Sequence, residues 1–236
     1  MIIMYRIADF NFDLKRRTNI LDNLYEDYLI NDDAIDFEVS CSREEIIKEA
    51  NEGESIQNVY LEVTALHRKI AEWLPNRNAF VLHSACFDVD GVGVAFAAHS
   101  GTGKTTHMNR WMEYLGNKMT IVNGDKPIVR FFDDEPNTPY AYGTPWNGKE
   151  HLGCNMRTPL RNICFIERSD TNFVERLDCK AAISRIFNQV YMPKDRLAVV
   201  KTMELIDRLL NCCNLWIIHC NMDENAGELA YKAIFK

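Results

Sequence analysis

The chain has no C-x-x-C pair, no excess of basic residues and no apolar run of bilayer length, and each lack removes a class of protein. Its eight cysteines stand at 41, 86, 154, 164, 179, 212, 213 and 220, several inside apolar runs such as Asn162 to Ile166 and Trp216 to Cys220. They read as reduced core thiols rather than zinc ligands or a disulfide framework, which points to the cytoplasm. With 27 Lys and Arg against 34 Asp and Glu, the net charge of -7 leaves no cationic surplus to neutralise a duplex, so no nucleic-acid partner is expected. Nothing spans a membrane on length grounds, and the apolar patch at Met1 to Arg6 is too short for a signal peptide, so neither membrane attachment nor export is expected. Repeats, low-complexity blocks and Pro/Gly/Ser-rich linkers are also missing. The 236 residues therefore read as one structural unit, a catalytic domain over 79–236 with an N-terminal extension, 1–78, packed on it.

What is present is a nearly complete phosphate-binding loop, Ala98-His99-Ser100-Gly101-Thr102-Gly103-Lys104-Thr105, followed by Thr106. In the pattern G-x-x-x-x-G-K-S/T, small residues let backbone N–H groups converge on phosphate oxygens, the lysine reaches the β- and γ-phosphates, and the hydroxyl ligates Mg²⁺. Only the first glycine is replaced, by Ala98. The apolar run Val92 to Ala98 predicts a buried strand before the loop, and Met108, Trp111, Met112 and Leu115 predict a helix after it. An anion would then face the helix N-terminus. His99 and Thr102 fill variable positions and contribute backbone only.

Ala79 to Val89 and Val92 to Ala97 flank Asp90-Gly91, a two-residue hairpin signal, so the loop-bearing strand should pair antiparallel with the one before it. Further strands are expected at Met4 to Phe12, Ile35 to Cys41, Met119 to Val122, Ile128 to Phe132, Ile163 to Glu167 and Leu215 to Cys220. The charged stretch Arg43 to Glu54 reads as a solvated helix or loop. A helix with Val59, Val63, Leu66, Ile70 and Trp73 on one face should end at Pro75, with His67 a satisfied histidine beside that face. Helices are also expected over Ala181 to Val190, Lys201 to Cys213 and Ala226 to Phe235.

A nucleotide loop needs an acid from a neighbouring strand, and Asp125 in Asn123-Gly-Asp125 is the natural candidate, although the same tripeptide could be a plain turn. His83 interrupts an apolar run on the first hairpin arm; on spacing alone it reads as a core histidine, with orientation of a carboxylate or phosphate as the functional alternative. Ala141 to Glu150 cannot build a core and is either a surface turn or a substrate-facing wall. Within it Trp146 and Lys149 are substrate-side candidates, and Glu150 is a candidate support for Mg²⁺.

Leu82-His83, the Asp90-Gly91 hairpin, the phosphate loop and Asn123-Gly-Asp125, in this order, resemble the catalytic domain of HPr serine kinase/phosphorylase, which shares its architecture with phosphoenolpyruvate carboxykinase. The likeness is closer to small bacterial HPr-kinase-like proteins, some of which accompany peptide-modifying gene clusters, and it extends over about residues 80 to 168. It implies an α/β fold, the phosphate-loop-containing carboxykinase/HPr kinase-like fold, with a mixed sheet and flanking helices. It also implies an ATP- and Mg²⁺-dependent kinase acting on a serine hydroxyl of a peptide or protein, and it leaves a homo-oligomer open. By that likeness Asp125 would be the general base, His83 would assist it or bind phosphate, Lys104 would hold the β- and γ-phosphates, and Thr105 would ligate Mg²⁺, beside Asp125 and Glu150, the metal candidates read from the residues themselves. The E-R-G-x-G segment of true HPr kinases is replaced here by Gly143-Thr-Pro-Trp146, which weighs against HPr as the acceptor. A small-molecule kinase or carboxykinase-like enzyme of the same fold, and a nucleotide-gated binding protein without transfer, remain as alternatives.

Overall fold

The computed structural model describes residues 4–236 except Asp33, Gly53, Ile56, Ser100, Met222 and Glu224. Met4 to Phe12, expected as one strand, folds back on itself because Ala8 and Asp9 take φ of 54° and 59°, a left-handed turn pair. Strand β1 (Met4–Ile7) thus pairs antiparallel with β2 (Phe10–Lys15), and β3 (Leu29–Ile30) and β4 (Phe37–Ser40) complete a sheet of order β3-β1-β2-β4. Helix α1 (Arg43–Ile47) opens the charged stretch with a capping box, in which the Ser42 hydroxyl and the Glu45 carboxylate accept each other's backbone N–H. Helix α2 (Tyr60–Trp73) buries Leu61, Ala65, Leu66 and Ile70. Val63 and Trp73, expected on that inner face, lie at its half-buried edge, where Trp73 stacks on Phe37 with centroids 5.1 Å apart. Pro75 sits in a 3-10 turn directly after the helix, where its missing N–H costs nothing.

The second half begins with β5 (Ala79–Val81), β6 (Ala85–Val89) and β7 (Val92–Ala97). Asp90 and Gly91, at φ 50° and 85°, close the β6–β7 hairpin as expected. The arm Ala79 to Val89 is not continuous, however. Leu82 bridges to Val190 and His83 N–H donates to the Gln189 carbonyl at 2.6 Å, so β5 leaves to join another strand and His83 falls in the break. Then follow α3 (Lys104–Leu115), β8 (Met119–Asn123), β9 (Ile128–Arg130), β10 (Tyr140–Tyr142), β11 (Arg157–Arg168), β12 (Phe173–Leu177), α4 (Cys179–Phe187), α5 (Arg196–Cys212), β13 (Asn214–Cys220) and α6 (Ala226–Phe235). On α3, Met108 and Trp111 are buried, whereas Met112, expected beside them, is 38% exposed.

Among the described residues these strands form one mixed sheet, β5-β9-β10-β11-β7-β6-β8, with β13 and then β12 added on β11. The loop-bearing β7 is antiparallel to β6 on one side and parallel to β11 on the other. Its apolar residues are buried on both faces: Trp111 of α3 and Ala230 of α6 share a core with Val94 and Phe96, while Ile186 of α4 and Leu209 of α5 share another with Ala95 and Ala97. The four-stranded sheet and α2 join the rest through a third core, in which Phe12, Leu66 and Ile70 pack with Ile128, Tyr142 and Trp146. Ala141 to Trp146 is therefore buried, not the coreless loop its composition suggested. No described helix is long and apolar enough to cross a membrane.

Candidate nucleotide site

The phosphate loop leaves β7 at Ala97 and enters α3 at Lys104. Gly103 has φ of 121°, a conformation closed to residues with a side chain, and no side chain caps the helix that follows it. The first-turn amides of α3 are thus left for an anion. Arg168, at the end of β11, braces the loop by donating from Nη2 to the Gly101 carbonyl at 2.6 Å and from Nε to the Thr102 carbonyl at 3.4 Å. His99 is exposed, and its carbonyl accepts from Thr102 N–H at 3.2 Å. Ser100 lies outside the described residues.

Three side chains expected at the site meet across the loop's mouth. Lys104 Nζ donates to the Ala98 carbonyl at 2.7 Å and lies 3.4 Å from His83 Nε2, and that same nitrogen lies 3.3 Å from Asp125 Oδ1. The break in the strand takes His83 off the hairpin, and the next residue, Ser84, donates its N–H to the Asp125 carbonyl at 2.9 Å. Burial lowers the Lys104 pKa, against the pull of Asp125. For Asp125 burial acts upward, but the hydrogen bond to His83 and the charge of Lys126 outweigh it and hold the carboxyl well below the usual carboxylate range.

Asn123, fully buried at the end of β8, fixes the turn that presents Asp125. Its Oδ1 accepts from the N–H groups of Asp125 and Lys126 at 2.9 and 2.7 Å, and its Nδ2 donates to the Thr144 carbonyl and hydroxyl at 3.1 and 2.9 Å. The Thr144 hydroxyl in turn donates to the Lys126 carbonyl at 2.9 Å. Lys126 completes the arrangement with an ion pair to Asp125 Oδ2. Sequence reasoning took Asn123 only as part of a turn and missed Lys126, Thr144 and Arg168. The available signals were a cation directly after the acid and a cation closing a central strand on the loop's side of the sheet.

His83, Lys104, Asp125 and Lys126 line one cleft of about 970 Å³, together with Thr105, Thr106, Lys149 and Glu150. Its far wall comes from α2, through Tyr60, Thr64 and His67, and nothing in the sequence linked that helix to the site. Trp146 is 6% exposed and packs on His67 with ring centroids 4.6 Å apart. His67 Nε2 is buried with no hydrogen-bond partner, contrary to the expectation of a satisfied histidine. Gly148, at φ 86°, brings the 145–151 turn against the acid: a Cβ there would lie 3.6 Å from Glu150 Oε2 and 3.8 Å from Asp125 Cγ. A hydroxyl at Thr105 with carboxylates at Asp125 and Glu150 is an all-oxygen donor set suited to Mg²⁺, which keeps waters and shares phosphate oxygens rather than needing a protein cage. The described residues hold no cluster of three or more His, Cys, Asp or Glu that could hold a metal ion. Thr102 and Gly101 also border a second cleft of about 490 Å³ on the loop's other flank, with Arg110 and Asn221.

No family model matches the sequence, and no curated protein matches it. Among solved structures, the HPr(Ser) kinase/phosphatase of Coxiella burnetii aligns at 12% identity over 55% of this chain and 90% of that one, with a TM-score of 0.28. An overlap that loose assigns no family.

Proposed function

We propose that the chain is an ATP- and Mg²⁺-dependent kinase that transfers the γ-phosphoryl group to a hydroxyl, a serine of a peptide or protein. The observation that carries the reading is the run Lys104 Nζ, His83 Nε2, Asp125 Oδ1, spaced 3.4 and 3.3 Å, across the mouth of an uncapped helix N-terminus. Phosphoryl transfer asks a protein mainly to position groups and stabilise charge. The loop amides and Lys104 hold the β- and γ-phosphates, His83 orients Asp125, and Asp125 accepts the hydroxyl proton. The hydroxyl oxygen bonds to Pγ as the bond from Pγ to the β,γ-bridging oxygen breaks, leaving ADP. Thr105, Asp125 and Glu150 would hold Mg²⁺, which supplies charge neutralisation on the phosphates when bound. Trp146 and Lys149 stand on the acceptor's side of the cleft.

Incubation with γ-labelled ATP and a cell extract tests this reading. Label on a peptide or protein is the expected result; label on metabolites alone would indicate a small-molecule kinase, and ATP binding without transfer a nucleotide-gated binding protein. Asp125→Asn should slow transfer by about 10²- to 10⁴-fold, the usual contribution of a general base, while leaving ATP binding nearly intact. Lys104→Ala should weaken both. Wild-type turnover in Asp125→Asn would remove the proposed base.

A further inference from the structure

Both oxygens of the Asp125 carboxylate are occupied, Oδ1 by His83 and Oδ2 by Lys126, so the group that must take a proton is covered on each side. Two of the cleft's lysines are engaged as well, Lys104 on the Ala98 carbonyl and Lys126 on Asp125. A triphosphate arriving in this cleft with Mg²⁺ still carries net negative charge beyond what the helix N-terminus and Lys104 balance, and Lys126, already in contact with the acid, is a further cation at hand. The mobility of its parts is unequal. Its backbone is pinned at N by Asn123 and at O by Thr144, whereas its side chain is 39% exposed. Only the head of this residue is free to move, along a flexible four-carbon stem.

Resting on the kinase reading above, we infer that Lys126 is a positioning residue that changes partner: its ammonium leaves Asp125 Oδ2 for an oxygen of the γ-phosphoryl group, so that binding of a triphosphate is what uncovers the carboxylate for the acceptor hydroxyl. A diphosphate offers no oxygen at that place, and with ADP the pair stays closed. The device couples the presence of a transferable phosphoryl group to the availability of the base.

Two crystal structures of the full chain read the exchange directly, one with ADP and one with a non-hydrolysable ATP analogue. Lys126 Nζ is expected on Asp125 with ADP and on the γ-phosphoryl group with the analogue. In solution, Lys126→Met should lower the affinity for ATP about tenfold while leaving that for ADP unchanged, the loss of one charge-assisted contact. Unchanged ADP binding also reports that the variant is folded, and Lys126→Arg should restore most of the preference for ATP. Lys126 still paired with Asp125 beside a bound analogue, or an ATP-to-ADP ratio that Lys126→Met leaves untouched, overturns the inference and spares the kinase reading. A cleft that takes up neither nucleotide overturns the kinase reading itself.

Discussion

At the scale of single residues, the fold holds two histidines in opposite conditions. His83 is partly open and touches two charged side chains, whereas His107 is buried under Phe96 in α3, where its Nε2 accepts from Trp111 Nε1 at 3.3 Å. That acceptor role requires a neutral ring, and burial pushes the His107 pKa down to about 4 from an ordinary 6.5. The unfolded chain then binds a proton between these values that the folded chain refuses. Stability contributed by keeping the ring neutral is complete above the unfolded value and declines as pH falls below it. From pH 7 to pH 5 this one group should remove about 2 kcal/mol. Chemical denaturation at the two pH values measures it: His107→Gln should lose less stability over that interval than the parent does. His67, pushed down to about 3 by burial beside Lys126, remains in both proteins and sets a common background.

At the scale of elements, the site depends on how the end of β8 is tied to the segment after β10. Asn123 makes that tie through four hydrogen bonds, two to the backbone of Asp125 and Lys126 and two to Thr144. Asn123→Ala would leave four groups, the N–H of Asp125 and of Lys126 and the carbonyl and hydroxyl of Thr144, each short of one partner and release the turn. A loss of about 2 to 4 kcal/mol in stability is expected, together with a drop in turnover larger than the drop in ATP affinity. Denaturant melts and steady-state kinetics separate the two effects. This tie also marks where sequence reasoning stops. The Asp90-Gly91 hairpin, the strand, loop and helix around Lys104, and α6 are local patterns, set by turn dihedrals and by the helical repeat, and they were legible. Asn123-Gly-Asp125 reads locally as a turn whichever way its carboxamide points; its partner, Thr144, is twenty-one positions on. Strand β12, whose residues Phe173 to Leu177 are mostly exposed at the sheet edge, carries too little apolar signal to separate it from a loop. Strand β10 is short and lies in a stretch rich in glycine and proline, so only its burial against Phe132 and the N-terminal sheet reveals it.

At the scale of the molecule, a chain of net charge -7 gathers Lys104, Lys126 and Lys149 into one cleft, an arrangement that favours an anion there over the surface at large. The cleft is not the property of residues 79–236 alone. Its far wall is α2, and the seam beneath it is tied by Arg130 to the Ala8 carbonyl at 2.6 Å, Asn155 to the Asp27 carbonyl at 2.7 Å, Tyr142 to Asp9, and Tyr191 to Glu72 at 2.7 Å. Removing residues 1–78 would strip cover from Val81, Ile128, Tyr142 and Trp146, which share the N-terminal core. At roughly 1.5 to 3 kcal/mol for each such side chain, the loss is comparable with the whole stability of an ordinary domain, about 5 to 15 kcal/mol. A fragment spanning 79–236 should therefore show no cooperative thermal transition and should bind a hydrophobic dye, whereas the full chain should melt in a single step with equal calorimetric and van't Hoff enthalpies. A fragment that melted cooperatively near the temperature of the full chain would make the N-terminal segment an appendage, and the contacts across the seam would then contribute little to stability.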